Sequence, residues 1–224
     1  MRNKLRAYIF DFDGVVVDSM SLHLKAWQKA HNELFGCDYK ESESYSGMAS
    51  TKIAAKMCSL QNDPGKAERL VDIKRSIMRE IYPTVELLPG AKKMFRSLRS
   101  QGIPFGICSN ATREFIEKIL EIQGLDADTI VSIESTPTPK PHPAPYLLAA
   151  KNLGVSEAEY RNIAAFEDSK HGMRAIKSAG FYGVGILSLQ KKEDLESCGA
   201  KKTFKNLEEA LKDPELFGLL NRSV

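Results

Sequence analysis

Five short apolar runs, separated by helical patterns, leave this chain few folds to choose from. Tyr8-Ile9-Phe10 closes on Asp11, and Pro104-Phe105-Gly106-Ile107-Cys108 closes on Ser109-Asn110. Ile130-Val131-Ser132-Ile133 closes on Glu134-Ser135, and Asn162-Ile163-Ala164-Ala165-Phe166 on Glu167-Asp168. Gly183-Val184-Gly185-Ile186-Leu187 is the fifth. A strand that is apolar on every residue is buried on both faces, and helices between such strands signal a parallel sheet. The pattern predicts an α/β protein with a three-layer, Rossmann-like core and right-handed crossovers.

One interval breaks the alternation. Between Val17 and about Leu87 the sequence offers no strand, only helical patterns over Leu22 to Phe35, Thr51 to Leu60 and Lys66 to Ile81. Some 70 residues is far beyond an ordinary connection, which spans about 4–6 residues. The interval reads as an inserted helical bundle, giving a core of residues 1–16 and 88–224 and a cap of residues 17–87. Pro83 and Leu88-Pro89-Gly90 mark the return.

Charge and composition remove several function classes. A net charge of +3 is too mild to argue for nucleic acid, and pairs such as Lys191-Lys192 and Lys201-Lys202 read as solvated faces. No apolar stretch approaches the roughly 18 residues of a membrane span, and the N-terminal run is too short for a signal peptide. Cys37, Cys58, Cys108 and Cys198 form no CxxC, which argues against a zinc site or redox dithiol and suits a reducing cytoplasm. No apolar stripe demands a partner, so a monomer is expected.

The chemistry is concentrated at the ends of the apolar runs. Asp11-Phe12-Asp13-Gly14 puts two carboxylates two residues apart, on one side if the backbone stays extended. Such a pair suits a bound cation, or a nucleophile beside a proton carrier; a plain Asp-rich turn is the structural alternative. Gly14 permits a sharp turn and leaves room for close approach. Ligands of open parallel sheets bind at the carboxyl ends of the strands. There Asp11 and Asp13 would meet Ser109, Asn110, Glu167 and Asp168, with Lys140 from a loop that Pro139, Pro141 and Pro143 hold extended. Each pair of carboxylates would repel by about 4 kcal/mol at 4 Å and an effective dielectric of 20. A divalent cation resolves the conflict, and an all-oxygen ligand set favours Mg²⁺. Lys140, Ser109 and free amides then suit a phosphate.

These segments resemble the four signatures of the haloacid dehalogenase-like superfamily. Asp11 to Ser19 is similar to the first, Ser109-Asn110 to the second, Lys140-Pro141 to the third, and Glu167-Asp168-Ser169 with Gly172 to the fourth. The cap position matches the branch that holds β-phosphoglucomutase and many small phosphatases. The resemblance implies that Asp11 is the nucleophile and forms an aspartyl-phosphate, while Asp13 protonates the leaving oxygen and then activates water. It implies Mg²⁺ held by the Asp11 carboxylate, the Asp13 carbonyl and Asp168, with Glu167 direct or through water. Ser109 and Lys140 would grip the phosphoryl oxygens. The second Asp also separates classes: dehalogenases of the superfamily lack it and phosphonate hydrolases replace it. Asp13 therefore points to phosphate esters.

Asp18 and Ser19 read as caps of the first cap helix. His23 and Trp27 share a helix face, with Trp27 as packing and His23 as a substrate-side residue. His142 reads as exposed and Cys108 as a buried small side chain. Tyr45 to Lys52 is the expected specificity loop, turning at Gly47. Where β-phosphoglucomutase carries an arginine for a second phosphate, this chain has Ser50; Lys52, Arg113 and Lys74 are the cations able to compensate. With Asn110, His23, Gly47, Lys52 and Arg113 as substrate-binding residues, the expectation is a Mg²⁺-dependent phosphatase acting on a small phosphorylated metabolite, a sugar or polyol phosphate. A β-phosphoglucomutase-type phosphomutase is the alternative, and a silent binding protein on this fold is a third reading.

Overall fold

The layering follows from which residues alternate along each strand. A computed structural model describes residues 5–39 and 48–217. Among them the strands are β1 (Ala7–Phe10), β2 (Val17–Asp18), β3 (Glu86–Leu87), β4 (Phe105–Cys108), β5 (Thr129–Val131), β6 (Ile163–Glu167), β7 (Tyr182–Ile186) and β8 (Lys202–Phe204). Six of them form one parallel sheet in the order β5-β4-β1-β6-β7-β8. The cap supplies α1 (Met20–Phe35), α2 (Ser50–Leu60) and α3 (Ala67–Ile81). The core carries α4 (Ala91–Ser100), α5 (Arg113–Gln123), α6 (Ala144–Asn152), α7 (Lys170–Ala179), α8 (Lys192–Cys198), α9 (Leu207–Ala210) and α10 (Pro214–Phe217).

Tyr8 and Phe10 of β1 and Ala164 and Phe166 of β6 face one side, where α4, α5, α9 and α10 pack. Ala7, Ile9, Ile163 and Ala165 face the other, covered by α6, α7 and α8. Phe10 lies between Phe166 and Phe95, with ring centroids 4.8 and 5.2 Å away. Each such fully buried side chain contributes roughly 1.5–3 kcal/mol. Strand order turns at β1, which lies between β4 and β6, so its carboxyl end opens into the crevice where ligands bind in such sheets.

The cap has its own apolar centre, built from Trp27, Ile53, Met57, Leu70 and Val71. It is not isolated from the core: Ala26, Met78, Tyr82 and Val85 join the larger cluster, and the Tyr82 ring meets Phe115 at 5.1 Å. An exposed bidentate pair, Arg79 Nε and Nη2 to Glu114 at 2.7 and 2.8 Å, links α3 to α5.

Several expectations need correction. A sixth strand, β8, was hidden because Lys202-Thr203-Phe204 is too short and polar to stand out. Lys202 is no solvated charge: its Nζ pairs with Asp213 and Glu215, both at 2.6 Å. The inserted interval does contain strand, since β2 and β3 pair antiparallel where the chain leaves and rejoins the core. Two residues are too few to show a period. The proline segment around Lys140 is a tight turn closed by His142 N–H donating to Pro139 O at 3.0 Å, with Pro143 starting α6. No helix among the described residues is long and apolar enough to cross a membrane.

Candidate active site

β1 delivers Asp11 to the crevice. Its amide donates to Phe166 O at 2.9 Å, continuing the sheet one residue beyond the strand. Phe12 O then accepts from both Val16 and Val17, and Gly14 N–H donates to Val17 O, which folds the chain back sharply. Gly14 has φ +78°, and a Cβ there would lie 2.0 Å from Asp168 Oδ2. The room left by this glycine is therefore filled by the chain's own carboxylate. Asp11, Asp13, Ser109, Asn110, Lys140 and Asp168 line one cavity of about 490 Å³ between core and cap.

Lys140 is the electrostatic centre of the core side. Its buried Nζ donates to Asp11 Oδ1 at 2.9 Å and to Glu167 Oε2 at 2.8 Å, and lies 4.9 Å from the centre of the Tyr146 ring. Burial would push its proton affinity down, but the two carboxylates outweigh that and hold it charged. Asn110 Oδ1 accepts from the Lys140 amide at 3.2 Å, so Asn110 positions the lysine turn. Ser109 Oγ accepts from Ala111 N–H at 3.1 Å, which leaves its hydroxyl proton available to a ligand.

One carboxylate oxygen each from Asp11, Glu167 and Asp168 lies within 4.8 Å of the other two, and all three residues are buried. Burial, then the charge of Glu167, raises Asp11 to about 8 despite Lys140. Burial, then Glu167 and Asp11, pushes Asp168 well above the usual carboxylate range. A set of oxygens that cannot all ionise unaided fits a hard divalent cation, which would relieve both shifts. Glu167 is different. Its Oε2 accepts from Lys140 and from Tyr146 OH at 2.9 Å, and its Oε1 from Ser169 N and Oγ at 3.1 and 2.7 Å. Burial alone would raise it, but these donors hold it below the usual range. In this arrangement both its oxygens are already in use.

Asp13 turns to the cap. Its Oδ1 accepts from Ser19 Oγ and lies 3.1 Å from His23 Nε2, while Lys74 Nζ lies 3.0 Å from His23 Nδ1. Burial would raise Asp13, yet His23 and Ser19 bring it below its ordinary value. Lys74 is buried, and burial lowers it to about 8. Burial, then the neighbouring Lys74 charge, keeps His23 neutral. A neutral ring accepting from Lys74 at Nδ1 and donating from Nε2 to Asp13 satisfies every partner. Ser19 is thus no side-chain cap of α1: it precedes the helix but its hydroxyl goes to Asp13, and Asp18 is exposed in β2.

The remaining expected residues divide. Trp27 is buried in the cap and lines the cavity, Cys108 is fully buried with its thiol pushed up to about 12, and His142 is exposed. Lys52 is exposed on α2, and neither it nor Arg113 is among the residues lining the cavity. The Arg113 guanidinium donates to Glu117 Oε1 and Ile130 O. Gly47 and its neighbours lie outside the described residues. Lys74 enters the cavity through the α1–α3 contact, and Ser188 holds Asp168 Oδ2 at 3.0 Å. Tyr146, behind Glu167, had no signal in the sequence.

A strand-end aspartate, a buried lysine and neighbouring acids meet at the sheet's switch point, and the family comparison gives the class. The sequence model of the haloacid dehalogenase-like hydrolases matches residues 5–180, and the chain belongs to that family. It is 29% identical over 204 residues to hexitol phosphatase B of Escherichia coli (strain K12), covering 85% of this chain and 87% of that protein. It is also 29% identical over 194 residues to β-phosphoglucomutase of Bacillus subtilis (strain 168), covering 81% and 83%. Among solved structures, β-phosphoglucomutase from Clostridium difficile superposes with a TM-score of 0.80 at 25% identity, covering 97% of each chain.

Proposed function

We propose that this protein is a Mg²⁺-dependent phosphatase that hydrolyses a small phosphorylated metabolite through an aspartyl-phosphate on Asp11. The observation that carries this is Lys140 Nζ at 2.9 Å from Asp11 Oδ1, with Asp13 on the cap side of the same cavity. An Asp11 oxygen attacks phosphorus while the bond from phosphorus to the ester oxygen breaks; Asp13, which the charge of a bound phosphate would raise from its lowered position so that it enters the step protonated, gives that oxygen its proton, releasing an alcohol. Water then attacks the aspartyl-phosphate, Asp13 takes the proton, and orthophosphate leaves. Ser109 and Lys140 hold the equatorial oxygens throughout. Asp11, Asp168 and the Asp13 carbonyl would hold Mg²⁺, with Glu167 through water, and the ion would supply charge neutralisation for nucleophile and phosphoryl group.

Residues 17–87 act as the cap that excludes bulk water during the reaction. The hexitol phosphatase and phosphoglucomutase relatives make sugar and polyol phosphates the first substrates to try. The phosphatase reading is preferred over a mutase because a mutase needs a cation for a second phosphate. Ser50 stands in the cavity lining, Lys74 is held by His23, and, Lys140 apart, the remaining cations of the lining, Arg75 and Lys191, are exposed rather than built into a second phosphate site. The free cysteines support a cytoplasmic location.

The test is phosphate release from a metabolite panel with and without Mg²⁺, using Asp11→Asn as control. Turnover should vanish in the variant, and the wild-type chain should trap labelled phosphate on Asp11. Turnover that survives the substitution overturns the covalent mechanism.

A further inference from the structure

Away from Asp11 the cavity changes chemical character. Its cap wall carries Met20 at the start of α1, Met48, Met57 on α2 and Met78 on α3, four of the chain's seven methionines. Trp27, the single tryptophan, and Phe115 from the core complete it. Trp27, Phe115 and Met78 are 7%, 3% and 2% exposed, so packing from behind fixes the little surface they present, while Met57 is fully buried and backs the wall. Met20 and Met48 are partly exposed at the rim.

This wall suits one kind of leaving group better than another. A polyol hydroxyl that reaches the buried part of this wall gives up hydrogen bonds to water and meets thioethers and ring carbons, because the lining hydroxyls on Ser21, Tyr39, Ser50 and Thr51 belong to exposed or half-buried residues. Each polar group left unsatisfied costs roughly 1–3 kcal/mol. A flat ring gains instead, from offset or edge contacts with Trp27 and Phe115 and from sulfur–aromatic contacts with unbranched methionines that conform to it. The cations on this wall do not change the balance. Lys74 Nζ is held 3.0 Å from His23 Nδ1, and the other cations of the lining away from Asp11, Arg75 and Lys191, are exposed residues that keep their water. A cavity of about 490 Å³ has room for a ring as well as a phosphate.

We infer that the leaving group carries an aromatic or heteroaromatic ring, seated against Trp27, Phe115, Met78 and the rim methionines Met20 and Met48. The enzyme then prefers phosphate monoesters of ring-bearing alcohols to hexitol or hexose phosphates. This rests on the phosphatase reading of the site and replaces the sugar or polyol leaving group, suggested by the relatives, with a ring-bearing one. The phosphate is fixed at Ser109 and Lys140, and the ring fills the cap side.

The experiment compares 2-phenylethyl phosphate with sorbitol 6-phosphate. Both are esters of primary alcohols, so a difference reports recognition rather than leaving-group reactivity. The wild-type chain and a Met20→Gln/Met48→Gln variant are assayed with Mg²⁺, with circular dichroism to confirm folding. The expected kcat/KM for 2-phenylethyl phosphate is at least about tenfold higher, or about 1.4 kcal/mol, and the variant brings the ratio to within about threefold. Phosphate release that favours sorbitol 6-phosphate, or shows no preference, overturns the ring assignment and leaves the phosphatase reading standing. A preference that the variant leaves unchanged overturns the assignment to this wall. If neither ester nor acetyl phosphate releases phosphate, the phosphatase reading fails and takes the inference with it.

Discussion

Replacing Lys74 by methionine should stabilise the protein near pH 7, and the gain should disappear in alkali. Lys74 is 6% exposed, faces His23 and Asp13 across the cavity, and has Arg75 beside it. Burial brings it from 10.5 to about 8, partly offset by the Asp13 charge. Each tenfold of proton affinity is worth about 1.4 kcal/mol, so holding the lysine protonated in the fold costs about 3 kcal/mol. The Lys74→Met substitution removes that cost but leaves His23 Nδ1 without its donor, a loss of about 1 kcal/mol. The net expectation at pH 7 is a variant more stable by about 2 kcal/mol. The sign reverses with pH for a definite reason. Between about 8 and 10.5 the unfolded chain keeps the Lys74 proton and the folded chain has lost it, so wild-type stability rises relative to the variant. Urea denaturation at pH 7, 8, 9 and 10, followed by circular dichroism and by Trp27 fluorescence, measures the difference. A gap that stays constant with pH, or widens in favour of the variant as pH rises, would refute the burial argument.

Other consequences are as direct. Gly172→Ala puts a Cβ 1.8 Å from Glu167 Oε2 and should cost about 3 kcal/mol or more in thermal denaturation, because it breaks the buried Lys140–Glu167 pair. Gly180→Ala is the control: its φ of +79° is strained but nothing lies within 4 Å, so about 1 kcal/mol is expected. Thiol titration of the native protein should find Cys37 alone, with Cys58, Cys108 and Cys198 reacting only after unfolding, and Cys108→Ala should keep its phosphate release within a small factor. Arg79→Ala removes an exposed link between α3 and α5. Global stability should hardly change, while amides of β2 and β3 should exchange faster; unchanged exchange would show that this pair does not hold α3 against α5.

Most of the core was legible because its strands are continuous apolar runs, and the runs of β1, β4 and β6 end on residues that the sheet presents to the crevice. Asp11, Ser109 and Asp168 could be placed together for that reason alone. Other features left no such trace. β8 depends on pairing with β7, and Lys202 is stabilised by Asp213 and Glu215 that approach only in the folded chain. Ser19 looked like a helix cap because it stands before α1, but tertiary geometry gave its hydroxyl a stronger acceptor in Asp13. Lys74 was one cation among three until the packing of α3 on α1 carried it to His23, while Arg113 was claimed by Glu117 and Ile130. Tyr146 was invisible because a tyrosine on a helix is ordinary core until its hydroxyl is found 2.9 Å from a buried glutamate.

The ribbon of β2 and β3 has a consequence for how such a protein can change over time. Leu88 N–H donates to Val16 O at 2.9 Å, so the chain leaves the core and returns to it at the same point. Everything between is a parenthesis in the sequence, and lengthening or rewriting it does not shift the register of β1 against β4 and β6. The methionine wall lies largely inside that parenthesis, while Asp11, Ser109, Lys140 and Asp168 lie outside it. The cap side and the strand-end side of the cavity can therefore vary on separate stretches of chain, with the glycine turn after Asp13 as the seam where the two must be kept in agreement.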